Sequence, residues 1–282
     1  MKQQRKRSRR VKKRSVSFTL GILIVAVVLA VTVVGALYTP YDPIEMHIAD
    51  RLSPPTWQHP LGTDSYGRDV LSRIMQGAGN TILVGVVAVS GGMAIGILCG
   101  LVAGLTGGIR DEAMMRVMDV LYAFPAVLSA ILFSSVFGAS LTNCMIAIGI
   151  YNVPIFARLT RGSVLSVREE EYVAAAHAVG RGRAAIAVRH ILPNIVSPLI
   201  VQGTIQFAGA ILAEAGLSYL GLGTQPPFAS WGGMLREAQT FIGLDPLLAV
   251  FPGLAIAITV LGLNLLGDGL RDRLDPSFIR SY

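Results

Sequence analysis

The chain has 282 residues, of which 52% are hydrophobic and only 15% are charged. Because a soluble domain usually carries about a quarter charged residues, this composition excludes a disordered chain and argues against an ordinary water-soluble enzyme. The two cysteines, Cys99 and Cys144, lie in apolar runs. They therefore predict small buried side chains rather than a disulfide framework or a zinc site.

The net charge of +7 is concentrated at the amino terminus, where residues 2–14 hold nine Lys and Arg side chains and no acid. A basic tail can bind nucleic acid, but this one directly precedes the apolar stretch Phe18–Leu37. As a helix, that stretch would extend over about 30 Å, the thickness of a hydrocarbon core. No convincing small-residue cleavage site follows it. We therefore predict a retained membrane anchor with a cytoplasmic basic flank, and no nucleic-acid partner.

Five further apolar stretches predict an all-α membrane protein with six transmembrane helices. The Lys and Arg distribution favours both termini on the cytoplasmic side, since 20 basic residues then lie inside and four lie outside. The predicted parts are a basic tail (1–16), a first transmembrane helix (17–38), an extracytoplasmic loop (39–78), a core (79–268) with an inside loop (157–194), and a cytoplasmic tail (269–282). The five stretches are Ile82–Thr106, Ala113–Phe137, Ala139–Phe156, Ile195–Leu212 and Leu247–Leu266.

Glycines recur at every fourth residue in the second apolar stretch. Steps of four keep to one helical face, which favours a groove that another helix can approach closely. Such a face suits either a helix that slides or rotates during transport or a static close contact. The glycines are Gly92, Gly96, Gly100, Gly104 and Gly108.

Charged residues inside apolar stretches are costly unless they are paired or hydrated. Arg116 and Asp119 are three residues apart, so a helix would place them on one face, as a mutually neutralising pair or as part of a translocation path. Pro125 and Pro154 predict kinks in their spans, because each removes a backbone donor. Trp57 and Trp231, in the two long outside loops, predict anchors at the membrane–water interface.

The sequence shows no recognisable residues for covalent catalysis, metal binding or cofactor binding. The segment 62–69 (GTDSYGRD) imitates the start of a phosphate-binding loop, but Arg68 and Asp69 replace the lysine and the hydroxyl residue that such a loop requires. The chain contains no Gly-Lys pair, no H-E-x-x-H motif and no G-x-S-x-G motif. We therefore predict that it is not an enzyme and needs no cofactor.

The inside loop has the pattern of a short amphipathic helix. Ser166 and Glu169 have capping-box spacing, and Glu170 and Glu171 would follow in the first turn, where the helix dipole favours acids. The helix would need a surface on which to bury its apolar stripe, either a partner protein or its own membrane domain and the lipid surface. The stripe consists of Tyr172, Ala175, Ala176 and Val179.

A second short helix is predicted after this one. Gly180 and Gly182 end the first helix, and residues 183–192 can then form another before Pro193.

The segments 171–180 (EYVAAAHAVG) and 190–194 (HILPN) resemble the cytoplasmic coupling loop of ATP-binding-cassette importer permeases. The chain is similar, more narrowly, to the second permease of the dipeptide, oligopeptide and nickel group. This resemblance covers about residues 17–276 and implies the type I importer permease fold. It also implies that residues of the inside loop couple the permease to a partner ATPase, and the coupling residues are Glu170, Glu171, Ala174, Ala175, Ala176, Gly180, Ile191 and Pro193. It rests also on the segments 61–64 (LGTD), 67–69 (GRD), 221–227 (GLGTQPP), 231–232 (WG) and 264–272 (NLLGDGLRD).

One departure concerns the coupling motif, which in this family normally reads Glu-Ala-Ala-x-x-x-Gly. Ala174 occupies the position of the acid, whereas Ala175, Ala176 and Gly180 match the motif. We therefore predict that Glu170 or Glu171, about one helical turn earlier, supplies the negative charge for docking.

The resemblance implies a subunit of an ATP-driven importer in the bacterial inner membrane, in contact with membrane lipid. Its partners would be a second permease, two ATP-binding subunits and an extracytoplasmic solute-binding protein, and its substrates di- or oligopeptides. Nickel, glutathione or another small solute stays open as the substrate. An ion-coupled secondary transporter is the alternative from another class, but Asp119 is the only acid inside an apolar stretch, with Glu214 at an edge.

Overall fold

The computed structural model describes residues 2–274, with side chains from Val16 onward apart from that of residue 126. The end of the predicted carboxy-terminal tail, residues 275–282, lies outside the described residues. A single 3₁₀ turn, Ile48–Asp50, interrupts the segment between the first two helices. The helices of the described part are α1 (Lys2–Leu37), α2 (Val70–Thr106), α3 (Gly108–Ala123), α4 (Ala126–Phe137), α5 (Leu141–Val167), α6 (Glu171–Ala178), α7 (Arg183–Ile186), α8 (Leu192–Tyr219), α9 (Trp231–Gln239) and α10 (Leu247–Leu274).

The predicted count of six spans is not fully reproduced by the described residues. The bent pair α3 and α4 would be a fifth span if it counts as one crossing. Helix α5 is long enough, with 27 residues, but Asn143, Asn152 and Arg158 interrupt its apolar side chains. The four helices that are long and apolar enough to cross a membrane are Val16–Leu37, Val70–Thr106, Arg183–Tyr219 and Leu247–Leu274.

Helix α2 begins earlier than the sequence predicts. Its first residue is Val70 rather than Ile82, because the Asp69 side chain accepts a hydrogen bond from the backbone of Ser72 and so caps the helix. Residues 70–78 of the predicted loop 39–78 therefore form the first turns of α2.

The predicted third span is broken at Phe124 and Pro125. Helices α3 and α4 meet there at an angle of 84°, because Phe124 is extended and Pro125 precedes the first turn of α4. Proline disfavours helical geometry in the residue before it. The break is therefore sharper than the kink that the sequence indicates.

Close helix packing holds the bundle together. A Cβ on Gly21 of α1 would lie 2.6 Å from the backbone nitrogen of Leu266 in α10, and a Cβ on Gly262 of α10 would lie 2.5 Å from Cγ2 of Ile24. The largest hydrophobic cluster joins α2, α5, α6 and α8. The short helix α6 is therefore attached to the hydrophobic core of the bundle.

Candidate functional site

Helix α6 is an eight-residue helix exposed on one side and anchored on the other. Val173 and Ala176 are buried and belong to the same hydrophobic cluster as Ile186 and Ile191. Gly180, with a φ of +78°, closes the turn that follows α6, a conformation that glycine adopts without strain. Two buried residues thus fix α6 to the bundle and leave its other face free for a partner.

The structure corrects the predicted start of this helix. Helix α5 continues through Ser166 to Val167, so Ser166 lies in the last turn of α5 and cannot cap α6. The N-cap is Glu170, whose side chain makes no capping hydrogen bond. The prediction of a capping box formed by Ser166 and Glu169 is therefore wrong, and this motif does not hold the Glu169 side chain.

The predicted apolar stripe is also wrong in part. Only Ala176 of its four members is buried, together with Val173, which the prediction omitted. Tyr172 is 42% exposed and Val179 is 75% exposed. Partial burial and the neighbouring Glu170 raise the pKa of the Tyr172 hydroxyl above its ordinary value.

The remaining residues assigned to coupling divide between the surface and the core. Ala174 and Ala175 are exposed on α6, as are Glu170 and Glu171 at its start. Ile191 is fully buried, whereas the exposed Pro193 stands in the first turn of α8. The predicted second helix does not end before Pro193, because α7 continues through a π-helical stretch, Ala187–Ile191, into α8.

Two arginines at the end of α5, which precedes α6, connect α5 to neighbouring helices. Arg161 Nε and Nη2 donate to the two carboxylate oxygens of Asp111 in α3, over 2.5 and 2.7 Å. Arg168 Nη1 donates over 2.9 Å to the carbonyl of Gly104, near the end of α2. A bidentate guanidinium–carboxylate pair fixes relative orientation as well as distance. These bonds therefore tie the end of α5, from which the chain enters α6, to α2 and α3.

Four of the five predicted ridge glycines face α5. A Cβ on Gly92 or Gly96 would lie 2.6 Å from a backbone carbonyl oxygen of α5, and on Gly100 it would lie 2.5 Å from one. Gly104 faces Val164 in the same helix. Gly108 departs from the prediction, because it starts α3 with a φ of +60° and a Cβ there would meet nothing within 4 Å.

The predicted pair of Arg116 and Asp119 does not form. Arg116 Nη2 lies 3.4 Å from Glu112 one turn earlier, and Asp119 accepts a hydrogen bond of 2.9 Å from Arg158 in α5. Spacing along one helix allows two charged residues to pair, but it does not show whether either of them pairs instead with a residue of another helix.

Sequence reasoning missed a buried charge cluster around the segment that imitates a phosphate loop. Arg68 and Arg73 are 3% and 1% exposed, and both donate to the carboxylate of Glu237 in α9, over 2.6 and 3.0 Å. Arg68 Nε also donates to Asp64 over 2.7 Å. The cluster ties the segment before α2 to α9. The sequence feature that could have revealed it is the segment 67–69 (GRD), which contains Arg68.

Trp231 and Glu214 are further buried polar groups between α2, α8 and α9. Trp231 is not an interfacial anchor, because it is 2% exposed and its indole nitrogen donates to the carbonyl of Ile74 over 3.0 Å. Trp57, in contrast, is fully exposed. Glu214 is fully buried and accepts hydrogen bonds from Ser218, at 2.6 Å, and Thr81, at 3.1 Å.

No group of three or more potential metal-ligating side chains occurs among the residues that the structure describes. The fold and these contacts define a polytopic helical membrane protein that carries a short helix on its surface. Three of its carboxylates, those of Asp111, Asp119 and Glu237, pair with arginines from other parts of the chain.

The comparisons identify the family within this class. Residues 92–280 match the family described as "Binding-protein-dependent transport system inner membrane component". The dipeptide transport system permease protein DppC of Alkalihalophilus pseudofirmus is 44% identical over 91% of this chain and 84% of its own length. The glutathione transport system permease protein GsiD of Pectobacterium atrosepticum is 42% identical over 95% of this chain and 89% of its own.

The chain therefore belongs to the family of binding-protein-dependent transport system inner membrane components. It is a membrane permease of an ATP-binding-cassette importer, as its sequence predicts. A chain of the MetNI methionine ABC transporter, solved in inward-facing conformations, shares its fold with a TM-score of 0.60 at 17% identity. That match covers 72% of this chain and 96% of the solved one and confirms the predicted type I permease fold.

Proposed function

We propose that this permease and a second, homologous permease form the path by which di- and oligopeptides enter the cell. The relative named as a dipeptide permease, 44% identical over most of both chains, supports peptides as the substrate class. Glutathione, itself a small peptide, is the second candidate because several relatives at 42% identity are named as glutathione permeases.

The observation that carries a coupled role is the geometry of α6. Val173 and Ala176 attach the helix to the largest hydrophobic cluster, and the small side chains of Ala174 and Ala175 are exposed on its other side. Small exposed side chains let a partner approach the helix backbone closely. ATP hydrolysis belongs to two separate ATP-binding subunits in this proposal, and α6 receives their movement.

The chain's own contribution is mechanical. When the ATP-binding subunits move α6, the buried contacts to Ile186 and Ile191 shift α8, and the pair of Arg161 with Asp111 shifts α3. Packed interfaces of this kind switch between discrete arrangements rather than deform continuously. The permease can thereby open alternately to the two sides of the membrane without covalent chemistry.

The proposed orientation places both termini and α6 in the cytoplasm. The basic residues of the amino-terminal tail and of the segment around α6 support it. The segment 38–69 and α9 then face the outside. The buried cluster of Arg68, Arg73 and Glu237 makes this surface rigid, which suits docking of a solute-binding protein.

The experiment is reconstitution of the complete importer in proteoliposomes. We expect ATP-dependent uptake of a tritiated tripeptide that persists after ion gradients are collapsed. Tritiated glutathione and nickel ions, each offered with the same complex, test the other substrates. Uptake that stops with the ion gradient, or ATP hydrolysis by the purified chain alone, would contradict the proposal.

A further inference from the structure

Four polar side chains of α3 and α5, among them the pair of Asp119 with Arg158 described above, form a cluster at the surface of the bundle. Asp119 and Arg158 pair over 2.9 Å, the Arg158 guanidinium lies 4.4 Å above the ring of Tyr122, and the Tyr122 and Tyr151 rings stack with centroids 6.0 Å apart. We call these four residues the tyrosine–ion-pair cluster.

The position of the cluster is unfavourable for contact with lipid. With a rise of about 1.5 Å per residue, Arg158 lies about 14 Å before the end of α5 at Val167, and Asp119 lies about 16 Å after the start of α3 at Gly108. The Asp119 side chain is nevertheless 60% exposed and that of Arg158 is 39% exposed. Exposed charged groups on the helices of a membrane protein face water or a polar partner rather than hydrocarbon.

The helix break beside the cluster supports the same conclusion. Phe124 and Pro125, two and three residues after Tyr122, are both exposed in this chain and leave the helical hydrogen-bond pattern. Irregular backbone at membrane depth is tolerated where it is buried in protein or lines a water-filled cavity. The break therefore lies directly beside the cluster, and its exposed backbone suits a hydrated surface there.

The ion pair is open, in contrast to the neighbouring pair of Arg161 with Asp111. Asp111 is 9% exposed and both of its oxygens accept from Arg161. Asp119 accepts through Oδ1 alone among the described contacts. Arg158 thus keeps donors for a second carboxylate, and Asp119 keeps an oxygen for an ammonium group.

From these contacts we propose that the tyrosine–ion-pair cluster is a contact point for peptides on the translocation path. Arg158 binds the terminal carboxylate, Asp119 binds the terminal ammonium, and the tyrosine rings provide a flat surface for the chain between them. Arg158 also lines a recess of about 510 Å³ between α5 and α8, next to Ser163 and Asn194. A peptide released by Arg158 can pass into this recess. The proposal rests on the proposed function of peptide import.

The test uses the complete reconstituted importer and tritiated trialanine. A photo-reactive benzoylphenylalanine at Tyr122 is expected to capture the peptide, whereas the same group at Leu98, an exposed position of α2, is not. The variant Arg158→Gln is expected to lower trialanine uptake about tenfold or more, and to lower uptake of the carboxy-amidated peptide much less.

The exchanged variant Asp119→Arg with Arg158→Asp separates substrate contact from a structural role. It restores an ion pair between α3 and α5 but removes the guanidinium from Tyr122, so we expect intact assembly and impaired uptake. Normal uptake by this variant, or equal capture at Tyr122 and Leu98, would overturn the proposal while peptide import by the wild type stands. If the wild-type complex imports no peptide, the proposed function fails and this inference fails with it.

Discussion

The packing of α2 on α5 allows a sharp prediction for Gly100→Ala. A Cβ at this position would lie 2.5 Å from both the carbonyl oxygen of Ala157 and the Cβ of Thr160. Ordinary contacts between such atoms are about 3.5–4 Å, so the helices must separate by about 1 Å. Neither blocking atom can rotate away, because one belongs to the backbone and the other is attached to it.

Gly91→Ala is the matched control. Gly91 lies in the same helix, and a Cβ there would meet nothing within 4 Å. Both variants gain the same helix propensity, about 1 kcal/mol for alanine over glycine. The difference between them therefore isolates the overpacking, which we expect to cost about 1–3 kcal/mol.

The measurement is thermal unfolding of the purified complex in detergent, together with ATP-driven uptake. Gly100→Ala is expected to unfold at a lower temperature than Gly91→Ala and to transport more slowly. Equal unfolding temperatures would refute the reasoning, because they would mean that α2 and α5 separate at no cost.

Three further predictions concern buried polar groups and orientation. Glu214→Leu should lower the unfolding temperature more than Glu214→Gln, since leucine leaves the hydroxyl donors of Ser218 and Thr81 without an acceptor, at about 1–3 kcal/mol each. An equal fall in unfolding temperature for the two variants would contradict this reason. Asp111→Asn should cost about 1–2 kcal/mol in chemical unfolding by weakening its bidentate arginine pair, and no loss would show the pair to be dispensable. With both native cysteines replaced, a membrane-impermeant thiol reagent should label Gln58→Cys but not Ala178→Cys in intact cells; the reverse pattern would invert the proposed topology.

Local sequence patterns predicted the helices well because they depend on neighbours in the chain. Long apolar stretches and glycines at steps of four are read within a single helix, and the family resemblance rests on contiguous motifs. The break at Pro125 was indicated as well, since proline acts on the residue directly before it. Its angle of 84° depends on how α4 packs, which no local pattern contains.

Pairings between distant residues could not be predicted in the same way. Arg68 and Glu237 are separated by 169 positions, and either charge alone looks like a solvated loop residue. Asp119 had a plausible partner three residues away, yet Arg158 in another helix binds it. A carboxylate takes the donor that tertiary packing brings closest, and a single sequence does not reveal that packing.

The charge on α6 leads to the last prediction, which the structure makes more specific. Glu170 is the N-cap with extended backbone, so it does not lie on the helical face of Ala174, whereas Glu171 is the first helical residue, three positions before it. Glu169 is free of the predicted capping box and exposed.

We therefore expect Glu171→Lys to uncouple ATP hydrolysis from peptide uptake more strongly than Glu170→Lys. A matching Lys→Glu or Arg→Glu change in the ATP-binding subunit should partly restore coupling. If the acids act only on the helix dipole, each is worth about 0.3–1 kcal/mol, and the two reversals should have equal, small effects on stability that no change in the partner restores. Normal coupling after Glu171→Lys would mean that docking depends on the exposed alanines of α6, Ala174 and Ala175, and not on its acids.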